Sequence, residues 1–142
     1  MNMQKILFML LVTYVVGAAP AMAMSEADRQ RLNNGEGCPG CDLSNANLTG
    51  AQLSNQDLSG ANLTGANLSS AGLYNTNLSG ANLTNANLRN SNPAGANFTG
   101  ANLTGASFWR VNELNLEGTV FTDAILCNTK WIDGSMANNN CP

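Results

Sequence analysis

Residues 61–70 read Ala-Asn-Leu-Thr-Gly-Ala-Asn-Leu-Ser-Ser, and this five-residue unit recurs from Cys41 to Arg110. The centre of each unit is usually Leu, the residue two before it is usually Ala, and the residue after it is usually Ser or Thr. In fourteen consecutive units the centre falls on every fifth position, with Pro or Phe replacing Leu in three of them. A period of five matches neither the 3.6-residue period of a helix nor the alternation of a strand. The sequence therefore predicts a turn in every unit.

A turn in every unit allows the chain to coil around an apolar interior. A short extended segment places the Ala and the Leu, two positions apart, on one face. The Gly or Asn that follows can turn the corner because both residues tolerate positive φ. Stacked coils then pair their backbones about 4.8 Å apart, and a narrow column of Leu and Ala fills the interior. Short repeats of this kind are stable only when they stack on one another.

The units Ala-Asn-Leu-Thr-Gly at 61–65 and 101–105 resemble the A-[DN]-L-x-x motif of the pentapeptide-repeat family. The resemblance implies an all-β fold, a right-handed quadrilateral β-helix with four units per coil, so that positions twenty apart stack. The ends resemble an exported bacterial subgroup of that family. In this subgroup a short helix precedes Cys-Pro-Gly-Cys-Asp-Leu-Ser, here residues 38–44, and the tail carries Cys-Asn-Thr and Asp-Gly-Ser, here within residues 127–135.

The chain divides into four predicted segments. Residues 1–23 have the features of a signal peptide, with Lys5 before an apolar stretch at 6–19 and a small-residue cleavage site ending at Ala23. An uncleaved N-terminal anchor is the alternative. The first interpretation places the protein in the periplasm or outside the cell, with no membrane attachment after cleavage. The other segments are an N-terminal cap at 24–40 with a short helix, regular repeats at 41–110, and irregular repeats with a disulfide-closed cap at 111–142.

The five-residue register slips once. Leu116 lies eight positions after Phe108 instead of five, and later centres again follow every fifth position to Met136. Three inserted residues account for the slip. We place them at residues 111–113, where we expect a bulged corner, and the array then contains nineteen units.

The four cysteines are Cys38, Cys41, Cys127 and Cys141. In an oxidising compartment four cysteines indicate two disulfides, with three alternative pairings. We expect Cys38–Cys41 and Cys127–Cys141, one at each end of the array. A thiol–disulfide redox role for the C-x-x-C pair is the less favoured alternative, because the βαβ pattern that usually accompanies such a motif is missing.

The composition excludes several classes of function. The chain has six Lys and Arg, nine Asp and Glu, a net charge of −3 and no His. It therefore lacks both the basic surface that binds nucleic acid and the commonest catalytic base and metal ligand. The carboxylates are scattered, so we expect no catalytic residue, metal or cofactor and predict that the protein is not an enzyme. Some members of the family inhibit DNA gyrase by imitating the charge of DNA, but here Asn occupies the position that would carry that charge.

Two surfaces are candidates for contact with a partner. Stacking every twenty residues would align Asn and Thr in columns that could bind a periodic ligand such as ice, a glycan or another sheet. The same arithmetic places Arg89 beside Trp109, with Tyr74 on the adjacent face, as an aromatic contact patch. The favoured interpretation is a non-enzymatic, exported structural or interaction module, monomeric rather than dimerised end to end, whose partner is another protein. The column residues are Asn62, Thr64, Asn82, Thr84, Asn102 and Thr104.

Overall fold

The computed structural model describes residues 24–142. Its regular elements are helix α1 (Glu26–Asn33), a 3-10 helix η1 (Glu113–Leu116), and strands β1 (Leu126–Lys130) and β2 (Met136–Asn139). Between α1 and η1 the chain consists of turns and single-residue bridges. The predicted signal peptide and its cleavage site lie outside the described residues. Among residues 24–142, no helix is long and apolar enough to cross a membrane.

Each five-residue unit forms one side of a coil and one corner. In the first unit, the Ala46 N–H donates to the Leu43 carbonyl at 3.1 Å. Asn45 between them has a φ of 55°, in the left-handed region. The same corner position is Gly in half of the regular units, which explains the Gly and Asn in the repeat, because these residues adopt positive φ at little cost.

The coils stack in parallel with a spacing of twenty residues along the chain. Asn62 pairs with Asp42 before it and with Asn82 after it. Its N–H donates to the Cys41 carbonyl at 2.9 Å, and its carbonyl accepts from the Leu43 N–H at 2.8 Å. Twenty residues make four units, so each coil has four sides, as the family resemblance implies.

The interior is a filled apolar column. The unit centres from Leu43 to Phe108 and most of the Ala residues two positions before them are buried. Towards the C-terminal end, aromatic rings replace Leu and pack against one another with centroids 5.2 to 5.8 Å apart. These rings belong to Phe98, Phe108, Phe121 and Trp131.

The inserted residues lie slightly later than the sequence predicts. Val111 is buried, and its N–H donates to the Phe108 carbonyl at 3.0 Å, so it occupies the ordinary interior position of a unit. Placing Val111 in the bulge was therefore wrong. The detour begins at Asn112, whose side chain accepts from the Leu114 N–H, and continues through η1. Afterwards bridges join residues 23 apart, as Asn97 and Val120 do.

The array also ends earlier than nineteen units. Met136 is 53% exposed and begins β2, which pairs antiparallel with β1. The chain reverses at a turn in which the Trp131 N–H donates to the Ser135 carbonyl, with Gly134 at a φ of 88°. A unit centred on Met136 was therefore wrong, because the chain folds back before it can begin another side.

Both ends of the column carry additional structure. At the N-terminal end, Ser25 accepts from the Asp28 N–H and begins α1, and Leu32 of this helix is 5% exposed within the core cluster. The Gln56 amide donates to the Leu32 carbonyl at 3.0 Å. Disulfides join the cysteines in the expected pairing, one beside α1 and one across the C-terminal hairpin. They are Cys38–Cys41 and Cys127–Cys141.

Candidate contact surfaces

The predicted Asn and Thr residues form regular columns on one side of the coils. Asn82 bridges to Asn62 on one side and to Asn102 on the other. Each Asn side-chain oxygen accepts from the backbone N–H and the hydroxyl of the Thr two positions later. The three hydroxyl bonds measure 2.7, 2.6 and 2.7 Å, from Thr64, Thr84 and Thr104. We call these six residues the Asn-Thr columns.

The Asn-Thr columns therefore satisfy much of their own hydrogen bonding. Stacked Asn side chains could also bond to one another along a column. Only some do, such as Asn87 to Asn67 at 3.2 Å. More often the Asn oxygen holds the turn of its own unit, because side-chain oxygens of Asn readily accept from the backbone N–H two residues on. The Thr hydroxyl protons are committed to Asn, and the surface that remains presents methyl groups, oxygen lone pairs and amide N–H groups.

The second surface contains more charge than the sequence indicated. The Arg89 guanidinium lies 4.3 Å from the centroid of the Trp109 ring, as the twenty-residue stacking predicts. Arg110 and Lys130 also approach this ring, at 4.5 and 4.6 Å. We call these four residues the Trp109 cluster. Tyr74 is 50% exposed on the neighbouring side of the array, and among the described residues no aromatic or cation–π contact joins it to Trp109.

Sequence reasoning missed two members of the cluster for different reasons. Arg110 follows Trp109 directly and occupies a corner, and the repeat pattern does not indicate that the side chain of a corner residue turns back over the preceding ring. Lys130 bridges to Ser107, 23 residues earlier, so it can be placed only once the three-residue insertion is counted. That insertion was visible in the spacing of the centres.

A groove lies at the N-terminal end of the described residues. It has a volume of about 560 Å³ and lies between α1 and the first coil. A filled interior column offers no cleft within the coils, and this groove instead lies where α1 leaves part of the first coil uncovered. Arg29 is the one ionisable side chain of its lining, which otherwise comprises Met24, Asn33, residues 44–49 and Ala51.

The C-x-x-C segment brings Cys38 and Cys41 within 4.8 Å of the Asp28 carboxylate. Both sulfurs belong to the disulfide, so the group offers a single carboxylate oxygen to a metal ion. Thiolates, and not disulfide sulfurs, are the metal-binding and nucleophilic form of cysteine. In the oxidised state the segment is therefore a covalent link at the edge of the coil.

Three carboxylates have pKa values below the usual range because their oxygens accept hydrogen bonds from nearby Ser residues. The pKa of Asp42 is lowered by Ser44, through its hydroxyl and its N–H, and the Asn62 amide also contributes. Ser59 lowers the pKa of Asp57, and Ser135 that of Asp133. These Asp residues perform the same turn-holding role that Asn performs in other units.

Comparison with known proteins gives a consistent result. The family profile described as pentapeptide repeats matches in eight copies, over residues 39–73 and 76–112. A crystal structure of a pentapeptide repeat protein from the thylakoid lumen of Arabidopsis thaliana is similar with a TM-score of 0.52 and 27% identity, covering 71% of this chain and 68% of that one. Together these findings support a right-handed β-helix. No curated protein matches the chain.

Two further solved structures share the repeat but are longer. HetL from the cyanobacterium Nostoc, described as involved in regulating heterocyst differentiation, is 36% identical with a TM-score of 0.34, covering 68% of this chain and 43% of that one. QnrB1, described as a plasmid-mediated fluoroquinolone resistance protein, is 28% identical with a TM-score of 0.41, covering 63% of this chain and 41% of that one. This chain therefore spans less than half of either protein.

Proposed function

The chain belongs to the pentapeptide repeat family, and we propose that it is a non-enzymatic, rigid module that binds a partner protein through its repeat surface. The observation that carries the proposal is the stacking of chemically similar side chains every twenty residues. The ladder fixes their spacing, and the buried column behind them leaves the backbone little freedom. A preorganised surface of this kind loses little conformational entropy on binding.

The proposed location is the periplasm or the cell exterior. The apolar N-terminal sequence supports this location, and so do the two disulfides at the ends of the array, since disulfides persist mainly in oxidising compartments. Cleavage after Ala23 would be checked by mass spectrometry of the protein recovered from the cell envelope. Recovery of an intact N-terminus in the membrane fraction would favour the uncleaved anchor.

We also propose that α1 and the C-terminal hairpin act as end caps that keep the protein monomeric. Open coil ends expose unpaired backbone groups, which favour edge-to-edge association. Leu32 covers the apolar column at one end, and β2 pairs with β1 at the other. Sedimentation equilibrium should give the mass of one chain, whereas a dimer would contradict this assignment.

The binding role is tested by cross-linking and affinity capture from the cell envelope of the protein's own host. The matched variant carries Thr64→Lys, Thr84→Lys and Thr104→Lys, which change the Asn-Thr columns but not the buried column. A partner captured by the wild type and lost in the variant locates the contact on these columns. A partner retained by the variant moves the contact elsewhere, and the absence of any specific partner contradicts the proposal.

A second candidate function is binding of a periodic ligand by the Asn-Thr columns. The bridges from Asn62 to Asn82 and from Asn82 to Asn102 favour it, because they repeat one chemical group at the spacing of the coils. It ranks second because the Thr hydroxyl protons already bond to Asn. Ice-shaping and polysaccharide-binding assays would test it, and a ligand insensitive to the three Thr→Lys changes would contradict it.

A further inference from the structure

We propose that the Trp109 cluster binds an acidic polysaccharide, a chain of sugars that carry carboxylates. This inference goes beyond the proposed protein-binding role, because it assigns a different class of ligand to a surface separate from the Asn-Thr columns. The cluster consists of Arg89, Trp109, Arg110 and Lys130.

The first observation is the distribution of positive charge. Residues 24–142 contain five Lys and Arg, and three of them meet at Trp109. The other two, in α1, form ion pairs with carboxylates at 3.8 and 3.9 Å. Within the described part of the chain, no carboxylate lies within ion-pair distance of the three cations of the cluster. An acidic protein thus carries one concentrated and unneutralised positive patch.

The second observation is how closely the cations are held. The two longest centroid distances, 4.5 and 4.6 Å, mean that no two of the charged groups are more than about 9 Å apart. Cations at this separation repel one another, and the indole ring offsets part of the repulsion through its negative face. A bound anion would neutralise the rest. Guanidinium groups suit carboxylates because their paired N–H groups match the two oxygens.

The third observation is backbone strain at Arg110. Its φ is 63°, in the left-handed region. All other corners of the regular repeats are Gly or Asn, with the exception of Ser70. A long side chain with a Cβ is disfavoured in this conformation, so Arg110 stabilises the fold less than Gly or Asn would. Strained residues of this kind concentrate at functional sites.

The surroundings favour a glycan over a peptide. Peptides are commonly recognised by addition to a free sheet edge or by insertion into an apolar groove. Here the backbones of Asn87 and Ser107 already pair with each other in the ladder, and the groove beside α1 lies at the other end of the array. Neighbouring positions carry Ser69, Asn90 and similar neutral polar residues, which can hydrogen-bond to the hydroxyl groups of sugars.

The shape of the patch favours a linear polymer over a membrane. The three cations come from consecutive coils, whose backbones span about 10 Å along the array at the usual strand spacing. A flat anionic membrane would also meet the acidic surface nearby. Asp133, for example, lies one coil beyond Arg110 and uses its carboxylate to hold the Ser135 N–H at 2.8 Å. A narrow polymer can contact the Trp109 cluster along the array and avoid nearby carboxylates such as that of Asp133.

The experiment measures binding of the purified full chain to polygalacturonate by isothermal titration calorimetry. The key variant is Arg110→Asn, which removes a charge and relieves the left-handed strain, so loss of binding cannot be attributed to unfolding. Arg89→Gln and Lys130→Gln complete the set. We expect each change to weaken binding by about fivefold, because it removes one favourable ionic contact. The triple change should abolish binding. Arg31→Gln removes the same charge from α1 and should change the affinity less than about twofold.

Binding should also weaken strongly as ionic strength rises from about 50 mM to about 500 mM, because salt screens exposed charges. No binding to polygalacturonate at low salt, or binding unaffected by the triple change, would overturn the proposal. Equal affinity for neutral dextran would do the same. Tighter binding to polyglutamate would indicate an acidic peptide instead, and tighter binding to phosphatidylglycerol vesicles would indicate a membrane. If polygalacturonate did not bind while affinity capture from the cell envelope still found a partner protein, the polysaccharide assignment would be wrong and the proposed protein-binding role would stand.

Discussion

At the scale of single residues, four buried polar side chains occupy interior positions where most units have Ala, namely Gln56, Thr76, Ser91 and Thr129. The Thr76 hydroxyl donates to the Leu53 carbonyl at 2.9 Å, whereas the Ser91 hydroxyl is buried without a partner. We expect Ser91→Ala to raise the free energy of unfolding by about 1 kcal/mol, since a buried unsatisfied hydroxyl is costly. Thr76→Ala should lower it by about as much. Urea denaturation measures both, and a less stable Ser91→Ala protein would contradict the assignment.

The response to acid also depends on single residues. The pKa of Asp57 is lowered by hydrogen bonds from Ser59, and the Asn77 amide adds to the effect. A carboxyl whose pKa is lowered by folding stabilises the protein above its unfolded pKa, and this stabilisation is lost as pH falls through the folded value. Asn would hold the same turn without titrating. We therefore expect Asp42→Asn with Asp57→Asn to leave stability near pH 7 almost unchanged and to reduce the loss of stability below about pH 3.8, the ordinary pKa of Asp. Thermal melts across this range measure the difference, and an unchanged acid loss would show that these groups are not its source.

At the scale of elements, helix α1 contributes mainly through one side chain. Leu32 is buried at the end of the apolar column, and its carbonyl accepts from Gln56. We expect Leu32→Ala to lower the free energy of unfolding by about 2–3 kcal/mol, as for other buried Leu truncations. Arg29→Ala on the exposed side of α1 is the matched control and should cost less than about 0.5 kcal/mol. Equal effects in chemical denaturation would mean that α1 is not packed on the column.

The elements also show where sequence reasoning succeeds and where it fails. The corners and the interior column follow from the period of five, because each unit repeats the same local chemistry. The end of the array does not, since Met136 keeps the five-residue spacing although its chain segment turns back to pair with β1. The five-residue spacing indicates which residues could face inward, but it does not indicate whether a neighbouring coil is present to cover them. Likewise, Val111 is buried five residues after Ala106, so the spacing of the Ala positions places it inside, whereas the spacing of the centres alone did not.

At the scale of the whole molecule, stability should be nearly additive over the stacked coils. Deleting residues 61–80 removes one complete coil and joins Gly60 to Ala81. Asn82 then takes the place of Asn62 beside Asp42, and Leu83 takes that of Leu63, so backbone pairing and interior chemistry are both preserved. We expect a cooperatively unfolding protein with a lower melting temperature, because one set of coil contacts is lost. Circular dichroism during heating measures this change.

A deletion of residues 61–82 is the matched control, since it removes only two more residues. It leaves one side of a coil two residues too short to reach the next corner. A bulge can accommodate extra residues, but it cannot replace missing ones. We expect loss of the cooperative transition and rapid cleavage by protease. The twenty-residue deletion should also retain the Trp109 cluster, all of whose members lie beyond residue 80. If both deletions unfolded the protein alike, the coils would not be interchangeable. The surface columns could then not be shortened by one coil while their chemistry is kept.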